Sequence, residues 1–126
     1  LALGLLKILT ETNRIDRSFI NDYCEGFEDL QQYIANSTLE EFAQTTGLTI
    51  DAMKELAKVL ADNPKTFIRV GVGLSRNTQG AMATRAIACL SAALGLFDGK
   101  VGAGALLSSQ SFAVDQSVFA FASIRL

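Results

Sequence analysis

A short apolar segment that ends in two closely spaced glycines is the feature that most constrains the fold of this chain. Residues 66–72 read Thr-Phe-Ile-Arg-Val-Gly-Val, and a polar loop then leads to Gly80 and an alanine-rich segment. β-Branched and aromatic residues bounded by glycine and proline are typical of a strand. The pattern therefore predicts a strand over 66–72, a glycine loop, and a helix over about 79–94 that stops at Gly95.

The residues before this strand carry the periodicity of helices. Leu5, Leu6 and Leu9 are spaced to stack on one face of a helix over about 1–12. Four more helices are predicted where a capping residue or a glycine precedes an apolar face: one after Asp16 that Gly26 ends, one from Phe27, one over about 39–46 between Thr38 and Gly47, and one from Thr49 to Asn63-Pro64.

These elements predict an α/β chain that is rich in helix. We expect a single domain or part of one, with a helical part over 1–63 and a strand, glycine loop, helix and second glycine-rich loop over 64–126. One strand cannot form a sheet, and a strand between helices normally lies in a layered α/β fold, so the other strands are expected elsewhere. The chain begins without Met inside a predicted helix, and we interpret it as a piece of a longer protein.

Composition excludes several classes of function for this chain alone. A net charge of −2 gives no electrostatic basis for binding nucleic acid or an anionic membrane. The absence of histidine excludes Ser-His catalysis, Cys-His catalysis and histidine metal sites. Cys24 and Cys89 are too few for a four-thiolate zinc or iron–sulfur site, and we interpret them as ordinary thiols with Cys89 in the core, leaving a disulfide open. The longest apolar run, 86–97, is too short to cross a bilayer as a helix, so we expect no membrane insertion by this segment.

The glycine loop has two interpretations. The end of a strand and the start of the next helix form an anion-binding position in α/β proteins, and Ser75, Asn77, Thr78 and Gln79 add donors while Arg76 adds a cation. However, a Gly-x-Gly pair followed by a third glycine seven positions later matches neither the dinucleotide motif nor the Walker loop. The spacing therefore leaves open a phosphate cradle or a tight turn.

Other polar residues are equally open to two interpretations. Arg85 could reach back to a phosphate, or it could pack its stem along the flank of the helix. Residues 108–110, Ser-Ser-Gln, could line a pocket or form a plain turn. The acidic pairs Glu40–Glu41 and Glu25–Glu28 are placed to suit helix starts and exposed faces, and they are poorly placed for acid–base chemistry.

Several sequence blocks occur in a distinctive order along nearly the whole chain. They are Leu1-Ala-Leu-Gly-Leu-Leu6, Ile15-Asp-Arg-Ser-Phe-Ile-Asn-Asp-Tyr23, Glu25-Gly-Phe-Glu-Asp-Leu30, Thr46-Gly-Leu-Thr-Ile50 running on to Leu60, Val70 to Gly80, Thr84-Arg-Ala-Ile87, Leu94-Gly95 and Val101-Gly-Ala-Gly-Ala-Leu106. Their order and spacing resemble the middle of the catalytic subunit of a molybdopterin oxidoreductase. That family includes formate dehydrogenases, nitrate reductases and dimethyl sulfoxide reductase-like enzymes.

This resemblance implies a fold, a cofactor and a set of contacts. The fold would be a doubly wound, mostly parallel-sheet domain of the dimethyl sulfoxide reductase-like type, and the cofactor molybdenum or tungsten held by two molybdopterin guanine dinucleotides. By resemblance, Gly71, Val72, Gly73, Ser75 and Arg76 contact one of these dinucleotides. The resemblance assigns no catalytic residue and no metal ligand to this chain, and it implies an iron–sulfur cluster in an upstream part.

The resemblance also implies partners and leaves the substrate undefined. The expected partners are the rest of the catalytic subunit and electron-transfer subunits, in a bacterial enzyme on either side of the inner membrane. Formate dehydrogenases carry a Val-Arg-Gly-Gln-like run where this chain has Leu107-Ser-Ser-Gln110, a departure from that enzyme class. Two alternatives from other classes stay open: a non-catalytic nucleotide-binding module, and a helical interaction domain whose glycine loop is only a turn.

Overall fold

A computed structural model describes residues 1–107, which form six α-helices, a short 3₁₀ helix and two strands. The segments 108–110 and 113–121, for which a polar loop and a possible strand were considered, lie outside the described residues. The described elements are, in chain order, α1 Ala2–Glu11, α2 Arg17–Tyr23, α3 Phe27–Ala35, α4 Leu39–Thr46, α5 Ile50–Asp62, β1 Phe67–Val70, the 3₁₀ helix Val72–Arg76, α6 Gly80–Ala93 and β2 Gly104–Leu107.

The predicted starts of three helices are confirmed by hydrogen bonds from their capping side chains. Asp16 accepts the Phe19 N–H at 2.9 Å at the start of α2. At the start of α4, the Thr38 hydroxyl accepts the Glu41 N–H at 3.2 Å, and the Glu41 carboxylate accepts the Thr38 N–H at 2.8 Å. These bonds satisfy backbone N–H groups that have no partner within the helix, which is why such residues fix helix starts locally.

Helix α1 lies at the centre of the packing. Its side chains Leu5, Leu6, Ile8 and Leu9 are buried, and the helix contacts α3, α4, α5 and α6. Gly4 allows α4 to approach closely, because a Cβ at this position would lie 3.1 Å from the Cβ of Phe42. The rest of the core comes from the surrounding helices: Ile20, Phe27, Ile34, Met53, Ala57, Leu90 and Ala93.

The two strands form a parallel pair in which Phe67 lies opposite Gly104 and Val70 lies opposite Leu107. Helix α6 lies in the connection between them, so the unit is a β-α-β crossover, as expected for parallel neighbours. Along β1, Phe67 and Arg69 are exposed while Ile68 and Val70 are half-buried. Within the described residues, one face of the sheet is therefore covered and the other is open.

Several sequence predictions were wrong in detail. The strand β2 was expected to be part of a glycine-rich loop, and β1 is shorter than the predicted 66–72. Gly26 does not end α2, which stops at Tyr23; its left-handed backbone, at φ 70°, instead leads directly into α3. Met82, expected on the buried side of α6, is 57% exposed, and Cys89 is half-buried and not in the core. An alanine-rich helix has little contrast between its faces, so its orientation is hard to read from sequence.

Asp16 joins three parts of the structure. Besides capping α2, its backbone N–H donates to the Ala93 carbonyl at 2.8 Å, at the end of α6. Its carboxylate also lies 3.5 Å from the Lys100 ammonium group, in the loop before β2. Gly95 ends α6 as predicted, with φ 64°, and a Cβ on it would come within 2.9 Å of the Asp16 Cγ. The close approach of Asp16 therefore depends on glycine at position 95.

We predict that Gly95→Ala destabilises the chain more than Gly47→Ala. Both glycines are left-handed, at φ 64° and 71°, and alanine costs about 1–2 kcal/mol in that conformation. Only Gly95 faces a neighbour, since a Cβ at Gly47 would meet nothing within 4 Å. Crowding against Asp16 should add about 1 kcal/mol or more to the loss at Gly95.

The measurement is the free energy of unfolding of both variants from urea titrations. Gly47→Ala is the matched control, because it carries the backbone cost without the crowding. Equal losses in the two variants would contradict a structural role for the Asp16 contact.

Candidate functional site

The candidate site lies where the chain leaves the carboxyl end of β1. Gly71 follows the strand directly, the 3₁₀ helix Val72–Arg76 comes next, and α6 begins at Gly80 after a short turn. The polar loop expected from sequence is therefore a turn of 3₁₀ helix, and it packs against α6. This edge of a parallel sheet, facing a helix N-terminus, is where α/β proteins bind ligands.

The five residues predicted to bind a cofactor are consecutive or nearly so, and all lie in this turn. Val72 is half-buried, Gly71, Gly73 and Arg76 are exposed, and the backbone of Ser75 lies in the last turn of the 3₁₀ helix. The structure therefore presents backbone from both glycines, together with the Arg76 side chain, at one surface position.

Neither Gly71 nor Gly73 is explained by its conformation or by its described neighbours. Gly71 has φ −84° and ψ 165°, an extended backbone that any residue can adopt, and Gly73 is not among the glycines with positive φ. A Cβ on either residue would meet no described heavy atom within 4 Å. By contrast, Gly4, Gly95 and Gly104 each lie against a neighbouring side chain. The space above Gly71 and Gly73 is thus open to something beyond the described residues.

Asn77 holds the turn in place. Its side-chain amide donates to the Gly73 carbonyl at 3.1 Å, and its backbone carbonyl accepts the Gly80 N–H at 2.9 Å. The sequence analysis counted Asn77 among the donors for a ligand, but this side-chain amide already bonds the backbone of the turn. Asparagine commonly makes such bonds in turns, so residue type was a usable signal for the structural role.

The N-terminus of α6 has no side-chain cap. Gln79 precedes the helix without a capping hydrogen bond, and the first turn carries no acidic residue. The first N–H groups of a helix lack partners within it and carry the positive end of the helix dipole. This end of α6 therefore suits an anion, and it lies next to the open glycines.

The other residues considered from sequence contribute less. Arg85 is exposed on α6, and residues 108–110 lie outside the described part of the chain. Glu40 and Glu41 lie in the first turn of α4, where Glu41 completes the capping box. Within residues 1–107, no helix is both long and apolar enough to span a membrane.

The cysteines lie away from this turn, on α6 and at the end of α2. Both thiols are free and half-buried. The pKa of Cys24 is raised by desolvation and, to a smaller extent, by the charge of Cys89. In the described part of the chain, no three residues among His, Cys, Asp and Glu are grouped to hold a metal ion.

Comparisons with known proteins place the chain in a family. No protein-family model matches it. It is 35% identical over 95 residues to the probable oxidoreductase YoaE of Bacillus subtilis, 34% identical over 95 residues to the assimilatory nitrate reductase of Haloferax mediterranei, and 29% identical over 118 residues to the dimethyl sulfoxide reductase DmsA of Escherichia coli. These matches cover 75%, 75% and 79% of this chain but only 14%, 13% and 14% of the respective relatives.

The similarity thus extends over most of the chain, while the chain itself spans only a small part of each relative. The relatives share the sequence blocks that first suggested a relationship in name and class, namely nitrate reductase and dimethyl sulfoxide reductase. The chain therefore belongs to the molybdopterin oxidoreductase family, of whose members it corresponds to a partial region.

Proposed function

We propose that this chain is part of a molybdopterin-dependent oxidoreductase and that its glycine turn binds one molybdopterin guanine dinucleotide. The proposed contacts are Gly71, Val72, Gly73, Ser75 and Arg76. The observation that carries the proposal is the pair of exposed glycines, Gly71 and Gly73, which neither conformation nor described packing requires. Glycine is the residue that permits a phosphate group to approach the backbone closely.

The residues of the turn fit the chemistry of a dinucleotide. Backbone N–H groups at the turn and at the start of α6 would donate to the pyrophosphate, and the helix dipole would favour its charge. Arg76, exposed at the end of the 3₁₀ helix, would add a guanidinium group suited to paired hydrogen bonds with phosphate oxygens. When bound, the metal cofactor supplies two-electron redox or oxygen-atom transfer chemistry. The part of this segment is to hold and orient the dinucleotide.

The proposal extends to the fold of the longer protein. Phe67 is 55% exposed and Leu106 50% exposed on the open face of the sheet, whereas parallel sheets are normally covered on both faces. We propose that the rest of the catalytic subunit adds strands and helices here, completing a doubly wound sheet. In this arrangement residues 1–63 are its helical part and 64–126 its cofactor-side part.

Other components of the enzyme would lie outside this chain. The ligand of molybdenum or tungsten and an iron–sulfur cluster belong to other regions of the proposed catalytic subunit, and electron-transfer subunits are its proposed partners. The relatives named as reductases support this class of chemistry.

Two other functions use the same features differently. A non-catalytic nucleotide-binding module would use the glycine turn and the start of α6 for a simple nucleotide. A helical interaction domain would use the turn only to connect β1 with α6. The open space above Gly71 and Gly73 favours a ligand over a purely structural turn, because a turn at negative φ without close neighbours does not require glycine.

We predict that Gly71→Val in the longer polypeptide lowers cofactor content with little effect on the stability of the cofactor-free protein. Valine can adopt the extended backbone of Gly71 and would meet no described atom at its Cβ, but it would fill the space proposed for the dinucleotide. Molybdenum and guanine nucleotide content per polypeptide, together with thermal unfolding of the cofactor-free protein, are the measurements. A variant that keeps full cofactor content would contradict the proposal. One that destabilises the cofactor-free protein would show that protein, and not ligand, approaches the glycine.

We predict that Arg76→Ala weakens retention of the cofactor roughly 10- to 100-fold, the loss expected for a hydrogen bond to a charged group of about 1.5–3 kcal/mol. Arg17→Ala is the matched control, since Arg17 is exposed at the start of α2. Cofactor content after dialysis measures the effect. Equal retention in the two variants would rule out the proposed contact of Arg76.

We predict that the 126-residue chain alone has no redox turnover, because the proposed metal ligand lies outside it. Turnover by the purified, metal-free chain would contradict this assignment. Calorimetric titration of the chain with guanosine diphosphate separates the alternatives. Tight binding of this simple nucleotide would favour the nucleotide-binding module over the pterin dinucleotide site.

A further inference from the structure

A second surface feature, away from the glycine turn, is an apolar groove between α1, α4 and α5. Ile8, Leu9, Leu39 and Ala57 contribute its apolar walls, and its volume is about 310 Å³. This volume is at the lower end of the range for small-molecule pockets. We call this feature the α1–α5 groove. It is large enough to accept one or two apolar side chains.

The rim of the α1–α5 groove carries three cations and one anion: Arg14, Lys54, Lys58 and Glu11. Glu11 already binds Lys7, with 2.9 Å between the Lys7 Nζ and a carboxylate oxygen. Arg14 already donates to Asp62, and this bond holds the pKa of the Asp62 carboxyl below its usual range. These two rim charges are thus matched within the chain.

Lys54 and Lys58 are not matched in the same way. They are exposed one turn apart on α5, both line the groove, and neither forms an ion pair with a residue in 1–107. Like charges at this i,i+4 spacing destabilise an isolated helix by a few tenths of a kcal/mol. The pair therefore works against local helix stability, and anions placed over the groove would relieve this repulsion.

We propose that the α1–α5 groove is the docking site for an acidic, amphipathic peptide segment from the rest of the longer polypeptide. Apolar side chains of this segment lie against Leu9 and Leu39, and its carboxylates bind Lys54 and Lys58. Two observations select this occupant. The groove combines an apolar wall with a positive rim, and the chain spans only 13–17% of its relatives, so most of a polypeptide of that length lies outside it. The proposal rests on the existence of the longer polypeptide and is independent of the cofactor site.

Zero-length carbodiimide cross-linking of the longer polypeptide, followed by mass spectrometry, tests this proposal. We expect amide cross-links from Lys54 and Lys58 to Asp or Glu residues of one segment outside residues 1–126. Lys65 is the internal control, because it is exposed beyond the end of α5 and does not line the groove. Cross-links that stay within residues 1–126, that join a second copy or another subunit, or that are shared equally by Lys65, would each overturn the proposal.

A double variant, Lys54→Gln with Lys58→Gln, gives a second test in which the direction of the effect is informative. Removing two like charges from an otherwise unoccupied helix face would leave the Tm unchanged or raise it. If carboxylates dock there, the same change should lower the Tm of the longer polypeptide by a few degrees, and Lys65→Gln should not. An unchanged or higher Tm in the double variant would overturn the proposal. Cofactor content of the same protein, measured in parallel, reports separately on the glycine turn.

Discussion

The burial of α1 is the interaction on which the rest of the structure depends. Leu6 is fully buried and Leu9 only 1% exposed, and the helix carrying them contacts helices from both parts of the chain, α3 to α5 and α6. Burying one such side chain contributes about 1.5–3 kcal/mol, so the four buried side chains of α1 are a large part of the apolar burial. Because α6 rests on α1, the helical part of the chain also positions the helix whose N-terminus faces the glycine turn.

The features predicted from sequence are those fixed by a few neighbouring residues. The capping box Thr38–Glu41 and the caps Asp16 and Thr49 define helix starts through bonds spanning three residues, so their sequence signals are strong. The strand β2 depends instead on pairing with β1, more than thirty positions earlier in the chain. Its Gly-Ala-Leu-Leu sequence has no β-branched residue, and no local signal identifies it as a strand.

For the candidate site, sequence located the turn but could not decide its purpose. Glycines can serve left-handed backbone, close packing or ligand approach, and spacing does not separate these uses. The structure separates them within one chain. Gly47 has left-handed backbone, Gly4 is packed against Phe42, and Gly71 and Gly73 show neither feature. Sequence reasoning also missed the structural role of the Asn77 amide, since that bond requires the 3₁₀ turn, which was not predicted.

The surfaces left open within residues 1–107 differ in chemistry, and this difference is informative. The open face of the sheet exposes Phe67 and Leu106, which suits an apolar covering layer. The glycine turn offers backbone and Arg76, which suits a phosphate, and the α1–α5 groove offers two lysines beside an apolar wall. A single indiscriminate hydrophobic contact would not require three kinds of surface. Their separation around a core centred on α1 fits a segment that meets sheet, cofactor and an acidic segment on different sides of one enzyme.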